Sequence, residues 1–400
     1  MMLSRLRSTV IFAFGFFIVV GFCRAQGDRW VGTWSSAPQL TEPANLPPPP
    51  GLTGNTLRQI VQVSIGGKKL RARFSNAFGD GPMAINAAHI ALSAEGSAIK
   101  TGSDRALSFQ GKPSVTIPPG ALVFSDPVDF DLAPLSDLAV TIHFDGMPGD
   151  VTGHPGSRST SYLQAGNSVS AADLPTAVRT QHWYVLTGID VEAENSSAAI
   201  VTLGDSITDG RGSGTDQNDR WPDDLARRLQ ADKKLANIAV LNEGIGGNCV
   251  LRGGLGPTAL ARFDRDVLSQ GGVHWLIVLE GVNDIGGGRD GSVATNLIAA
   301  YGKMVEQAHA RHIRVYGATI LPFGGSFYDN PAHEAARQTV NNWIRTRGRF
   351  DMVIDFDAAM RDPQNPSHLL RTADSGDHLH PNEAGYQIMA NAIDLKLFKN

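Results

Sequence analysis

Residues 199–210 read AIVTLGDSITDG, and their interpretation sets the fold. An unbroken apolar and β-branched run, without polar alternation, describes a strand buried on both faces, the pattern of a parallel sheet covered by helices. Gly204-Asp205 ends that strand and Ser206 stands at the turn into a helix. A serine at such a junction is presented beside orphan backbone N–H groups, which favour developing negative charge. The plainer alternative is that Ser206 or Asp205 caps the helix.

Outward from this stretch the same rhythm continues to the C-terminus. Apolar runs at 238–242, 275–279, 315–321 and 352–356 alternate with amphipathic windows at 221–234, 258–269, 293–310, 331–345 and 382–395. Strands alternating with helices predict an α/β domain with a parallel sheet, in which ligands bind beyond the carboxyl ends of the strands. The segments 204–206, 243–248, 281–284 and 321–323 follow strands and are expected to share that rim. Residues 30–191 read differently. Short β-type runs at 57–65, 69–74, 87–92, 121–124 and 138–144 are separated by Gly, Pro, Asn and Asp, which predicts an antiparallel sandwich or jelly-roll-like unit. The proline-rich stretch 43–50 is expected to be an extended or polyproline loop.

The N-terminus has the pattern of a secretory signal peptide: Arg5 and Arg7, an apolar run over 9–22, then Cys23-Arg24-Ala25. That run is shorter than the ~20 residues that span a bilayer. The chain thus divides into a signal peptide (1–25), a β-rich domain (26–195) and a catalytic domain (196–400), and is expected to be secreted, extracellular or periplasmic. A formal net charge of −4 without blocks of like charge excludes neither substrate nor partner protein, but favours no nucleic acid and no stable membrane association. Cys23 leaves with the signal, so Cys249 has no internal partner and is read as a small buried hydrophobe rather than a reactive thiol. Asn195-Ser196-Ser197 is a glycosylation acceptor sequence if the host glycosylates.

The far end of the chain supplies a base. In Asp377-His378-Leu379-His380-Pro381, an aspartate three residues before a histidine can orient the ring while the ring's other nitrogen takes a serine proton. His380 is preferred over His378 because the Asp-x-x-His spacing suits a tight turn, and Pro381 is expected to start the last helix. Oxyanion donors come from Asn242-Glu243-Gly244-Ile245-Gly246-Gly247-Asn248 and Gly281-Val282-Asn283-Asp284: the N–H groups of Ser206 and Gly247 and the amide of Asn283. Losing one such donor costs ~10²–10³ in rate.

These four blocks, GDSITDG, NEGIGGN, GVND and DHLHP, occur in the order and spacing of the SGNH hydrolases, the GDSL esterases and lipases, which the chain resembles over roughly its second half. The resemblance implies a flavodoxin-like three-layer α/β/α fold, with Ser206 as nucleophile, His380 as base and then acid, Asp377 orienting the histidine, and Gly247 and Asn283 completing the oxyanion hole. It implies no metal and no organic cofactor. In addition, WVGTWSSAPQL at 30–40 resembles the opening of secreted xylan-cluster arylesterases and carbohydrate acetylesterases, which implies an acylated carbohydrate or small ester as substrate. Trp30, Trp34 and Trp183 could stack on sugar but are better read as core, and 324–328 is either a mobile wall of the pocket or a plain loop.

The rival readings are a general short-chain carboxylesterase or lipase-like acylhydrolase, a metal-dependent phosphoesterase and a non-catalytic carbohydrate-binding protein. An α/β-hydrolase lipase would show Gly-x-Ser-x-Gly, which does not occur. A two-metal site needs carboxylates and histidines at successive strand ends, where this sequence offers Gly and Asn.

Overall fold

The computed structural model describes residues 29–194, 196–288, 291–346 and 349–399. The signal-peptide reading, Cys23 and Asn195 lie outside the described residues. The buried run around Val201 forms the strand Ala198–Gly204, every residue of which is buried. It pairs in parallel with Ile238–Gly244 on one side and Val273–Leu279 on the other, followed by Arg314–Ala318 and Met352–Ile354. In chain order the sheet reads 2-1-3-4-5, the flavodoxin-like arrangement with its switch point beside the first strand. Full burial of side chains such as Ile200, Val201 and Leu203 is worth about 1.5–3 kcal/mol each.

Helices complete the three layers. Trp221–Ala231 packs against Glu383–Ala392, and Val293–His309 against Pro331–Thr346. Several boundaries depart from the sequence reading. The run at 315–321 leaves the sheet after Ala318: Thr319 N–H still reaches Ile354 O at 3.1 Å, but Ile320 N–H turns to Asn341 Oδ1 at 2.8 Å and Thr319 Oγ1 accepts from the Asp357 backbone N–H at 2.9 Å. The last strand stops at Ile354, where Asp355 caps an unpredicted helix, Phe356–Met360. The window 258–269 splits into Ala259–Phe263 and a π turn, Asp264–Leu268. The last helix starts at Glu383 rather than at Pro381, with Asn382 as its cap, the side chain accepting from Gly385 N–H. Within 43–50, Pro43–Asn45 is a short 3₁₀ turn rather than extended chain.

The first half is antiparallel and β-rich. Leu186–Glu192 lies between Trp30–Ser35 and Gly67–Ser75 in one sheet, while Asn55–Gln62, Asp137–Gly146 and Met83–Leu92 run side by side in another. A small third sheet holds Gln39–Leu40, Thr152–Pro155 and His182–Tyr184. Trp34 and Trp183 form a buried edge-to-face pair, centroids 5.0 Å apart, so both are core. The β-rich part docks on the catalytic sheet: Val240 N–H donates to Ser64 Oγ at 3.1 Å and Gly32 N–H to Gly271 O at 3.0 Å. Among the described residues no helix is long and apolar enough to cross a membrane.

Candidate active site

Gly204, Gly244 and Leu279 sit level at the carboxyl ends of adjacent strands, so the loops that follow them converge. The chain turns sharply after Gly204, where an added Cβ would meet Thr208 Oγ1 at 2.0 Å and Leu279 O at 2.8 Å. Only glycine admits the one-turn helix Ser206–Asp209 here. Asp205 caps that turn, its Oδ1 accepting from Ile207 N–H at 2.9 Å. The capping role therefore falls to Asp205, and Ser206 becomes the first helical residue.

Ser206 Oγ lies 2.8 Å from His380 Nε2, and His380 Nδ1 lies 2.6 Å from Asp377 Oδ2. The turn that builds this relay is local. Asp377 Oδ1 accepts from the N–H groups of Leu379 (3.0 Å) and His380 (2.9 Å), and His378, between Asp377 and Leu379, adopts a left-handed backbone, φ 64°. That conformation swings His378 outward to pair with Asp374 Oδ2 at 2.6 Å, leaving His380 buried against the serine. Burial raises the Asp377 carboxyl, but donation from the His380 backbone and ring outweighs it and holds the group at about 2. Burial lowers the His380 pKa; Asp377 opposes this, and Arg211 and Arg158 lower it further. At neutral pH the pair is thus a carboxylate beside a neutral imidazole, Nδ1–H toward Asp377 and Nε2 free to accept from Ser206.

The donors face the same cleft, a space of about 380 Å³ that Ser206, Gly246, Gly247, Asn283 and His380 help to line. Gly247 has φ 71°, and neither its N–H nor that of Ser206 donates to another described residue. Asn283 Nδ2 gives one hydrogen to Asn248 O at 2.8 Å, and its Oδ1 accepts from Tyr328 Oη–H at 3.0 Å. With the amide oriented this way, the second Nδ2 hydrogen remains for a ligand. Asp284 accepts from Val250 and Leu251 N–H at 2.8 and 2.9 Å, which ties the GVND turn to the glycine loop.

Four groups absent from the sequence reading complete the site. Arg262, fully buried, donates to Gly204 O (3.0 Å), Glu243 O (2.7 Å) and Asn248 Oδ1 (3.0 Å), clamping the strand ends beneath the rim, and pairs with Asp266 and Glu280. His154, from the β-rich part, places Nε2 2.8 Å from Asp209 Oδ1 and Nδ1 2.8 Å from Ala37 O. Arg220 reaches back to Ser157 O, and Arg158 Nε donates to Gly210 O at 3.3 Å. No short motif marks these residues. Tyr328 belongs to the 324–328 loop, which does form a wall: Phe327 on it is 74% exposed at the cleft mouth. Cys249 is buried, and burial pushes its thiol up to about 12. Among the described residues no cluster of three His, Cys, Asp or Glu is placed to hold a metal ion.

An α/β/α domain with a serine–histidine–aspartate chain on its strand-end rim defines the class, a carboxylic ester hydrolase. Residues 202–388 match the GDSL-like Lipase/Acylhydrolase family. Similar solved structures include a putative lipolytic G-D-S-L protein from Desulfitobacterium hafniense (23% identity, 49% of this chain, 97% of that one, TM-score 0.39). Others are a putative acylhydrolase from Bacteroides fragilis (21%, 50% and 86%, 0.37) and an acetylxylan esterase from Geobacillus stearothermophilus (22%, 49% and 92%, 0.38). No curated protein matches the chain.

Proposed function

We propose that the protein is a secreted serine esterase that removes acyl groups, acetyl above all, from plant polysaccharides such as xylan, and that it also turns over short-chain aryl esters. The observation that carries the catalytic part is the continuous chain Ser206 Oγ to His380 Nε2 at 2.8 Å and His380 Nδ1 to Asp377 Oδ2 at 2.6 Å. His380 takes the Ser206 proton as Oγ attacks the ester carbonyl. The oxyanion is held by the Ser206 and Gly247 N–H groups and by Asn283 Nδ2. Collapse of the tetrahedral intermediate expels the alcohol, protonated by His380, and leaves an acyl-serine. Water, deprotonated by the same imidazole, then releases the acid and restores Ser206.

The polysaccharide part rests on the signal-peptide pattern of the N-terminal sequence, on a cleft open to solvent, and on the rim residues Phe327 and Leu255, both exposed, which offer apolar faces to a sugar ring. Acetate release from acetylated xylan, measured beside p-nitrophenyl acetate and butyrate with Ser206→Ala as control, tests it. Serine-dependent release from both polymer and aryl acetate is expected. Aryl turnover without polymer release would keep the triad and discard xylan; activity retained by Ser206→Ala would discard the triad.

A further inference from the structure

Two guanidinium groups stand beside the catalytic relay, and the esterase reading gives neither a task. Arg211 follows Gly210, whose left-handed backbone (φ 107°) closes the serine's helical turn. Its N–H donates to Ser206 O at 2.9 Å, and its carbonyl accepts from Tyr386 Oη–H at 2.6 Å. The backbone is therefore fixed to the nucleophile itself. The side chain is 62% exposed, and its nearest charge, Asp377 Oδ2, is 3.9 Å from Nε, outside hydrogen-bond range. Arg158 comes from the β-rich part with a left-handed backbone, φ 54°, uncommon for a residue with a Cβ. It is held so by Asp216 N–H on its carbonyl at 2.8 Å and by Thr160 N–H and Oγ1–H on Asp216, each at 2.6 Å. Only its Nε is engaged, on Gly210 O. Its two Nη groups donate to no described residue.

Both arginines line the cleft that holds Ser206 and His380. The departing alkoxide takes its proton from the histidine, so the alcohol half of an ester lies on the His380 side and the oxyanion loops lie opposite. Arg211, next to the aspartate that holds His380, is on the alcohol side. The carboxylates in the same cleft are already engaged: Glu42 accepts from Gln39 Nε2 at 2.6 Å and Asn45 Nδ2 at 3.0 Å, and Asp209 meets His154. A neutral sugar asks for donors and acceptors alike, whereas a guanidinium offers donors only. Its planar fork matches a carboxylate.

We propose that the cleft takes esters whose alcohol half carries a carboxylate, as in O-acylated uronic acid residues of acidic glycans. This rests on the serine-esterase reading and sharpens its substrate class. The test compares kcat/KM for 4-acetoxybenzoate, its uncharged isostere 4-acetoxybenzamide and 4-acetoxybenzenesulfonate, each divided by its hydroxide-catalysed rate constant. The carboxylate is expected to exceed the amide by about tenfold at low ionic strength, the worth of a charge-assisted hydrogen bond, and the advantage should shrink with added salt. The carboxylate-to-amide ratio should fall in Arg158→Gln and in Arg211→Gln. The second variant lies on an exposed side chain and keeps the test intact if the first fails to fold. Acetate release should likewise favour an acetylated polyuronate over an acetylated neutral xylan. A ratio near one with Ser206-dependent turnover, a ratio unmoved by either variant, or a preference for the sulfonate would overturn the proposal alone. No turnover of any of the three, or turnover undiminished in Ser206→Ala, would overturn the esterase reading with it.

Discussion

His154, on a strand of the β-rich part, sets its Nε2 2.8 Å from Asp209 Oδ1, three residues past Ser206 in the nucleophile's own helical turn. Its Nδ1 meets the Ala37 carbonyl at 2.8 Å, so that nitrogen carries a hydrogen, and a second hydrogen must bridge Nε2 and the carboxylate. Both partners are buried. His154→Ala leaves a buried carboxylate and a carbonyl without donors, which costs about 1–3 kcal/mol per orphaned group. Denaturant unfolding should show that loss, and aryl-acetate kinetics should show kcat falling more than KM rises. An equal loss in His154→Ala and Asp209→Asn, without further loss in the double variant, would identify the pair as one unit.

The pH profile follows from His380. Its pKa is lowered, so the neutral base persists below the ordinary histidine range near ~6.5. Activity is therefore expected to be full at neutral pH and to fall, as pH drops, through a midpoint below that range. Arg211 contributes to the lowering, and Arg211→Gln should move the acid limb upward in a kcat/KM titration. A limb that stays put would remove Arg211 from the electrostatics of the base.

Tyr328 acts through Asn283. Its hydroxyl holds Asn283 Oδ1 at 3.0 Å and so fixes which end of the amide faces the cleft. Asn283→Ala should lower kcat by ~10²–10³, the cost of a lost oxyanion donor. Tyr328→Phe leaves the amide held only through Nδ2 on Asn248 O, and a smaller fall in kcat is expected. Equal falls would mean that the tyrosine touches substrate directly.

Arg262 is fully buried and holds three groups at the ends of the first two strands and the glycine loop. Arg262→Met strands Glu280 without its cation, while Asp266 keeps Arg265. Breaking a buried pair in this way costs about 3–5 kcal/mol, which chemical denaturation would measure. Cys249, by contrast, should be silent. With its thiol pushed up to about 12 by burial, it should resist iodoacetamide in the native protein at pH 8, as mass spectrometry of the Cys249 peptide would report.

What could be read from the sequence is what is local in it. Ser206, Asn283 and the Asp377–His380 turn each sit in a short block whose chemistry is complete within a few residues, and the buried runs around Val201 and Leu276 announce a parallel sheet by composition. The strand limits near Ala318 and Ile354 were not legible, because there Asn341, Thr319 and Asp355 take over backbone hydrogen bonds from elsewhere. His154, Arg158 and Arg262 were not legible either. Each meets its partner across a tertiary contact, and a lone histidine or arginine between turn residues carries no spacing that marks it. The choice of His380 over His378 was legible for a partial reason: the Asp-x-x-His spacing indicated the turn, while the left-handed His378 that makes it work has no sequence mark.

The docking of Arg158, Ser157 and His154 against 209–220 also bears on how this protein could be taken apart. A fragment starting at residue 196 would retain serine, histidine, aspartate and oxyanion donors, yet would lack one bank of the cleft and the histidine beneath its nucleophile. Modularity in the chain and modularity in the chemistry therefore do not share a border. Grafting the β-rich half of a relative onto this hydrolase half would exchange Arg158 and His154 together, so one bank of the cleft and the support beneath the nucleophile would change at once.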